Sequence, residues 1–101
     1  MHLLANPEKY HNRQVTLVGF INLEFEGNAL YMSENQFRLR ASHDALWLDV
    51  AHMGIKPPFQ KGYVIVEGSF NGERRGHFGM FAGTLENIKR LESWRQGRLS
   101  N

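Results

Sequence analysis

The sequence predicts an all-β fold, a small five-stranded barrel preceded by a short N-terminal helix. Two apolar segments rich in β-branched residues, 15–23 and 63–70, have the composition of long strands, and each contains an internal glycine, Gly19 or Gly68. Glycine inside a strand marks a sharp bend or the close approach of another backbone, as a small closed barrel requires. Because such barrels serve as binding platforms, any chemistry has to be sought separately in the loops.

Length and composition are those of one globular domain. The 101 residues, 42% of them apolar, are enough for a single hydrophobic core. We therefore expect one domain over residues 1–101, with the barrel over about 13–94 and a disordered tail over 95–101. No apolar run is long enough to span a membrane.

The cysteine content and the first residues bear on the compartment. The sequence contains no cysteine, which excludes disulfides and thiolate metal sites and fits a reducing compartment. The first residues lack the basic start and long apolar stretch of a signal peptide. We expect a cytoplasmic protein, although a leader removed before residue 1 would leave no trace in this sequence.

The N-terminal residues predict a short helix followed by the first strand. Asn6 is a suitable helix cap, Pro7 fits the first helical position, and the helix ends near Tyr10. In the strand over 15–23, alternate residues share a face. We expect one such set to face the core, namely Val15, Leu17, Gly19, Ile21 and Leu23.

Two further strands complete a meander. Glu26-Gly27-Asn28 tolerates positive φ and predicts a hairpin turn into a strand over 29–32, antiparallel to the first. Residues 33–44 are polar and predict an irregular loop, and residues 45–50 alternate again as a third strand.

The second half predicts a connector and a hairpin. Pro57-Pro58 limits the connector to a short helical turn. A fourth strand over 63–70 and a fifth over 78–88 flank a glycine-bounded tip, and we expect Leu91 and Trp94 to close the seam of the barrel. A helix, a meander, a connector and a hairpin in this order are the elements of an OB-fold.

Four segments also resemble a group of small bacterial OB-fold proteins with no assigned activity. They are Leu3-Leu4-Ala5-Asn6-Pro7-Glu8-Lys9-Tyr10, residues 19–31, Leu46-Trp47-Leu48-Asp49-Val50 and residues 76–83 with their Gly-His-Phe-Gly start. The resemblance covers about residues 3–94. The chain departs from the group at Asn12-Arg13, where a Gly-Lys turn is expected, and in the loop over 33–44. The resemblance implies the fold and supplies no mechanism.

No catalytic or metal-binding motif stands out. Ser42-His43-Asp44 contains the residue types of a hydrolase triad, but adjacent residues cannot converge in space as a triad requires. Asp49 and His52, together with His43, are common ligand types without the tight spacing of a metal motif. We therefore expect a protein that is not an enzyme and that holds no cofactor and no metal.

Single-stranded nucleic-acid binding is an alternative function, because OB-folds stack bases on aromatic side chains in a basic groove. The aromatic candidates are Phe20, Phe25, Tyr31, Phe37 and Trp47, although burial is the expected state of each. Residues 15–50 contain two arginines against five carboxylates, whereas residues 51–101 contain eight basic and four acidic residues. Phosphate binding needs a positive charge over the strands that hold the bases, which is the opposite of this distribution.

The charge division instead favours recognition of another protein, for which complementary potentials guide partner choice and association rate. The expected function is a non-catalytic protein-binding module, an inhibitor or immunity-type protein, or a self-associating subunit, without a membrane partner. Binding residues concentrate in loops on a rigid scaffold, so the candidate surface combines the tip over 73–77 with the loop over 33–44. The candidate binding residues are Arg74, Arg75, His77, Phe37, Arg38, Arg40 and His43.

Overall fold

A computed structural model describes residues 2–24, 27–76 and 79–95, and in it five strands form a closed barrel. The strands are β1 (Gln14–Asn22), β2 (Ala29–Tyr31), β3 (Leu46–Leu48), β4 (Lys61–Asn71) and β5 (Gly83–Ser93). The helices are α1 (His2–Ala5), α2 (Pro7–Tyr10) and α3 (Glu34–Arg38), with 3-10 turns at Ser42–Asp44 and Val50–His52. This architecture confirms the all-β, OB-fold-like barrel with a short helix before its first strand.

The strands follow the order β1-β2-β3-β5-β4 around the barrel and close back onto β1. Neighbouring strands are antiparallel except β3 and β5, which pair in parallel. β1 pairs with β4 along its whole length but with β2 only over its last three residues, Phe20–Asn22. The short strands β2 and β3 therefore close the barrel over only part of the lengths of β1 and β5.

Two glycines allow strands to approach each other closely. A β-carbon at Gly19 would lie 2.5 Å from the carbonyl oxygen of Tyr31, and one at Gly68 would lie 2.7 Å from that of Glu86. Because both neighbours are backbone atoms, a side chain at either position would push two strands apart. The prediction of a close backbone approach at Gly19 and Gly68 is confirmed.

The interior of the barrel, here called the inner core, is mainly aliphatic. Its fully buried members come from all five strands and include Ile21, Leu30, Leu46, Leu48, Val64, Val66, Phe70 and Leu85. Val15, Leu17 and Leu23 pack against this core on the same side of β1 as Ile21, so the predicted inward face of β1 is confirmed. Leu3 of α1 is buried in the same core.

Residues 33–44 are not an irregular loop, contrary to the sequence prediction. The Ser33 hydroxyl accepts a hydrogen bond from the backbone N–H of Gln36 at 3.2 Å and caps α3. A 3-10 turn follows at Ser42–Asp44. The third strand is also shorter than predicted, since the 3-10 turn at Val50–His52 ends it.

The fifth strand begins later than predicted. Gly79 has φ of +66°, which is incompatible with a strand, and β5 starts at Gly83. The strand continues to Ser93, so Leu91 is a strand residue of the inner core and not part of a separate clasp. Trp94 is half-buried, and its backbone N–H donates to the carbonyl oxygen of Tyr63 at 2.9 Å.

Candidate recognition surface

A second apolar cluster, here called the outer cluster, lies on the outer face of the barrel. Its buried members are Phe20, Ala29, Tyr31, Phe37, Ala45 and Phe81, and Trp47 and Tyr63 pack against them. The strand register explains the gathering, because Phe20 of β1 pairs with Tyr31 of β2, and Ala29 of β2 pairs with Trp47 of β3. These aromatic side chains occupy the face on which OB-folds present their stacking platform.

Residues 32–44, here called the α3 segment, cover one part of the outer cluster. Phe37 is the buried residue of α3, and its ring stacks on Phe20 with centroids 5.3 Å apart and meets Tyr31 edge-on at 5.4 Å. The guanidinium of Arg40 and the ammonium of Lys61 lie 4.5 and 5.0 Å from the centroid of the Phe37 ring. Both cations are attracted to the ring. Phe37, a predicted binding residue, thus anchors α3 to the barrel.

Residues 72–76 and 79–82, here called the hairpin tip, cover another part of the outer cluster. Gly76 lies directly on Trp47, since a β-carbon at Gly76 would be 2.7 Å from the β-carbon of Trp47. Phe81 meets the ring of Trp47 edge-on with centroids 5.4 Å apart. The Nε of Arg75 donates to the carbonyl oxygen of Phe81 at 2.8 Å, so this predicted binding residue helps to shape the tip. The predicted residue His77 lies outside the described residues.

Arg74 ties the hairpin tip to the barrel. Its Nη1 lies 3.0 Å from Oε2 of Glu86 and 3.3 Å from Oδ2 of Asp49. Glu86 also accepts a hydrogen bond from Asn71 at 3.3 Å, and Asp49 lies 3.1 Å from Nδ1 of His52. The hydrogen bond to Glu86 is the largest cause of a raised pKa of the Arg74 guanidinium. The tip is therefore held in place by the side chain that the sequence suggested as a contact.

The remaining predicted residues are exposed on the α3 segment. Arg38 pairs with Glu34 one turn earlier in α3 at 2.8 Å, and Arg40 pairs with Glu24 at 3.3 Å. His43 is exposed in the 3-10 turn. The structure thus brings both predicted segments to one face of the barrel, with a surface of mixed charge.

Sequence reasoning missed the exposed apolar side chains on this face. In the described part of the chain, the large apolar residues that are exposed are Val18, Met32, Leu39 and Met80. Met32 and Leu39 belong to the α3 segment and Met80 to the hairpin tip. The placement of Leu39 between Arg38 and Arg40 is the one sequence signal of its exposure. The α3 segment and the hairpin tip together are here called the recognition surface.

Two further findings concern metal binding and membrane-spanning helices. Among the described residues, no group of three His, Asp or Glu side chains is arranged to hold a metal ion. No helix in the described ranges has the length and apolar character needed to cross a membrane.

Comparisons with family models, curated proteins and solved structures give no match. The function is therefore inferred from the recognition surface itself.

Proposed function

We propose that this protein is a non-catalytic protein-binding module that contacts its partner through the recognition surface. The observation that carries the proposal is the exposure of Leu39 and Met80, at 68% and 46%, on the two segments that cover one face of the barrel. Leu39 lies between the charged residues Arg38 and Arg40. Apolar contacts within a polar rim are the usual composition of a protein interface.

Burial of the outer cluster argues against the nucleic-acid alternative. Phe20 and Tyr31 are 5% exposed and Phe37 is 8% exposed, so these rings have little free face on which a base can stack. Arg38 and Arg40 already pair with carboxylates of the same chain, which weakens their attraction for phosphates.

Within this function we propose an inhibitor-type or immunity-type role in the cytoplasm. Phe37 anchors the α3 segment and Arg74 anchors the hairpin tip through contacts within the chain. Loops that are already ordered lose little conformational entropy on binding, which favours tight association. The cysteine-free composition fits a reducing compartment.

Affinity capture from the cells that produce the protein, followed by mass spectrometry, tests the proposal. We expect the wild type to retain a partner that the double variant Leu39→Ser/Met80→Ser loses, with at least about tenfold weaker binding once the partner is purified. Val18→Ser is the matched control, because Val18 is an apolar residue of similar exposure, 41%, outside both segments. Equal partner binding by the double variant and the control would contradict the proposal.

A second measurement addresses nucleic acid directly. We expect fluorescence anisotropy to show no appreciable affinity of the wild type for a labelled single-stranded oligonucleotide at low salt. Tight binding that weakens steeply with salt and survives the double variant would favour the alternative function.

A further inference from the structure

We propose that the free edge of β1 over Gln14–Val18 pairs, antiparallel, with the same edge of a second copy of this chain, with Thr16 opposite Thr16 on the two-fold axis. This self-association surface is distinct from the recognition surface and does not depend on the proposed function.

The edge is free because β2 is short. Among the described residues, β1 over 14–19 pairs only with β4, and pairing with β2 begins at Phe20. β2 ends at Tyr31, and the chain then turns away at Ser33 into α3. The segment after β2 therefore covers the outer cluster and does not pair with the rest of β1.

Two hydrogen bonds establish which backbone groups face this edge. The N–H of Leu23 donates to the carbonyl oxygen of Gln60 at 2.7 Å, and the N–H of Phe70 donates to that of Arg13 at 2.9 Å. Hydrogen-bonded residues alternate along an antiparallel strand, so the odd-numbered residues of β1 bond to β4. The N–H and C=O groups of Thr16 and Val18 consequently point away from β4, toward the free edge.

There is space for another strand beside these groups. A groove of about 480 Å³ is lined by residues 13–18 together with Leu3 and Tyr10. Paired strands lie about 4.8 Å apart, so an incoming strand would enter this groove next to β1.

The edge lacks the features that prevent strand pairing. Proteins usually protect a free edge with lysine, other charges, proline or a bulge. The segment Gln14–Gly19 has no charge and no proline, and Val15, Thr16 and Val18 are β-branched. Uncharged segments of this kind pair readily with one another.

The other partly free strand of the barrel provides the contrast. Beyond Leu85, β5 pairs only with β4 among the described residues. That part of β5 carries three exposed charged residues, Lys89, Arg90 and Glu92. The barrel protects one free edge with charge and leaves the other without it.

The residues of the β1 edge fit a second copy. A two-fold axis at Thr16 places Gln14 opposite Val18 of the second copy and Arg13 opposite its Gly19, so no like charges meet. Cross-strand threonine pairs are favourable, and each hydrogen-bonded pair exchanges two backbone hydrogen bonds. Two-fold symmetry is the commonest symmetry of dimers of identical chains, and it makes the contact closed.

Sedimentation equilibrium of the full chain tests this pairing. We expect a reversible dimer of the wild type, and Thr16→Lys and Thr16→Glu should each weaken it by at least tenfold, since two like charges would face each other. Thr16 is exposed, so both variants should fold, which circular dichroism checks. An equimolar mixture of the two variants should recover dimers, because Lys then faces Glu.

The control is Ser93→Lys, which adds the same charge at an exposed position of β5 and should leave the dimer unchanged. A wild type that stays monomeric at millimolar concentration would overturn the proposal, even if the edge accepts a strand from a different protein. The proposal would also be overturned if the Thr16→Lys variant by itself still formed dimers, or if the equimolar mixture of the two variants stayed monomeric. Partner capture by Thr16→Lys should equal that of the wild type, which separates this proposal from the recognition surface.

Discussion

The inner core and the outer cluster are built by different means. The inner core draws mainly aliphatic side chains from all five strands. The outer cluster is mainly aromatic, and Phe37 and Phe81 reach it from segments between strands. Apart from Leu3 of α1, the buried members of the inner core lie on strands, whereas the outer cluster is complete only while the α3 segment and the hairpin tip remain folded onto the barrel.

This difference implies two levels of stability. Strand residues that share one closed sheet should unfold together, because none can leave without breaking the barrel. A short helix held by one buried ring can detach while the barrel stays intact. Three substitutions test this division, and the largest effect is expected in the inner core.

Removal of a large side chain from the inner core should destabilise the whole molecule. Phe70 is fully buried, so Phe70→Ala should lower the free energy of unfolding by about 3–5 kcal/mol, measured by denaturant titration. Phe70→Leu is the control and should cost clearly less, since it leaves a smaller cavity. A loss below about 1 kcal/mol would mean that the barrel does not depend on this core.

Removal of the anchor from the outer cluster should act locally. Phe37→Ala should lower the free energy of unfolding by only about 1–2 kcal/mol, because the loss cannot exceed the free energy with which α3 opens locally. In the wild type, hydrogen exchange should report a lower opening free energy at the amides of residues 34–40 than at those of β4. Equal opening free energies in both regions would show that the two clusters form one cooperative unit.

Removal of the Lys61 charge beside the outer cluster should have the smallest effect on stability. Lys61→Met keeps most of the side-chain length but removes the charge 5.0 Å from the Phe37 ring. In the otherwise wild-type chain, Lys61→Met should lower the free energy of unfolding by about 0.5–1 kcal/mol. In a chain that also carries Phe37→Leu, it should leave that free energy unchanged. Lys56→Met, at another exposed lysine, is the control, and an equal loss there would rule out the ring contact as the cause.

The sequence predicts the inner core well because the relevant signals are local. Alternation within nine residues of β1 identifies the inward face, including Leu17 and Ile21. Gly19 and Gly68 interrupt β-branched runs, so their close contacts follow from composition alone. Both features depend on residues that are neighbours in the chain.

The outer cluster is harder to predict because its contacts are distant in sequence. Alternation places Phe20 opposite the core, and its burial requires Phe37 from α3. The five residues of α3 are too few for a periodic pattern, although the spacing of Ser33 and Gln36 is a capping signal.

The ion pairs of the recognition surface are equally hard to predict from the sequence. Asp49 and Glu86, the carboxylates beside Arg74, come from the end of β3 and from β5. They meet only because β3 and β5 pair in parallel. The sequence therefore identifies both candidate segments but not the contacts that fix them to one face.

The contact between Gly76 and Trp47 gives the molecule an internal optical probe. Trp47 lies beneath the hairpin tip, against the backbone of Gly76 and the edge of Phe81, and the other tryptophan is Trp94. In a Trp94→Phe variant, indole emission would come from Trp47 alone. A partner that lifts the tip would admit water and shift this emission to longer wavelength, whereas a partner that binds over the closed tip would not. One titration would then distinguish docking onto a fixed surface from displacement of the tip.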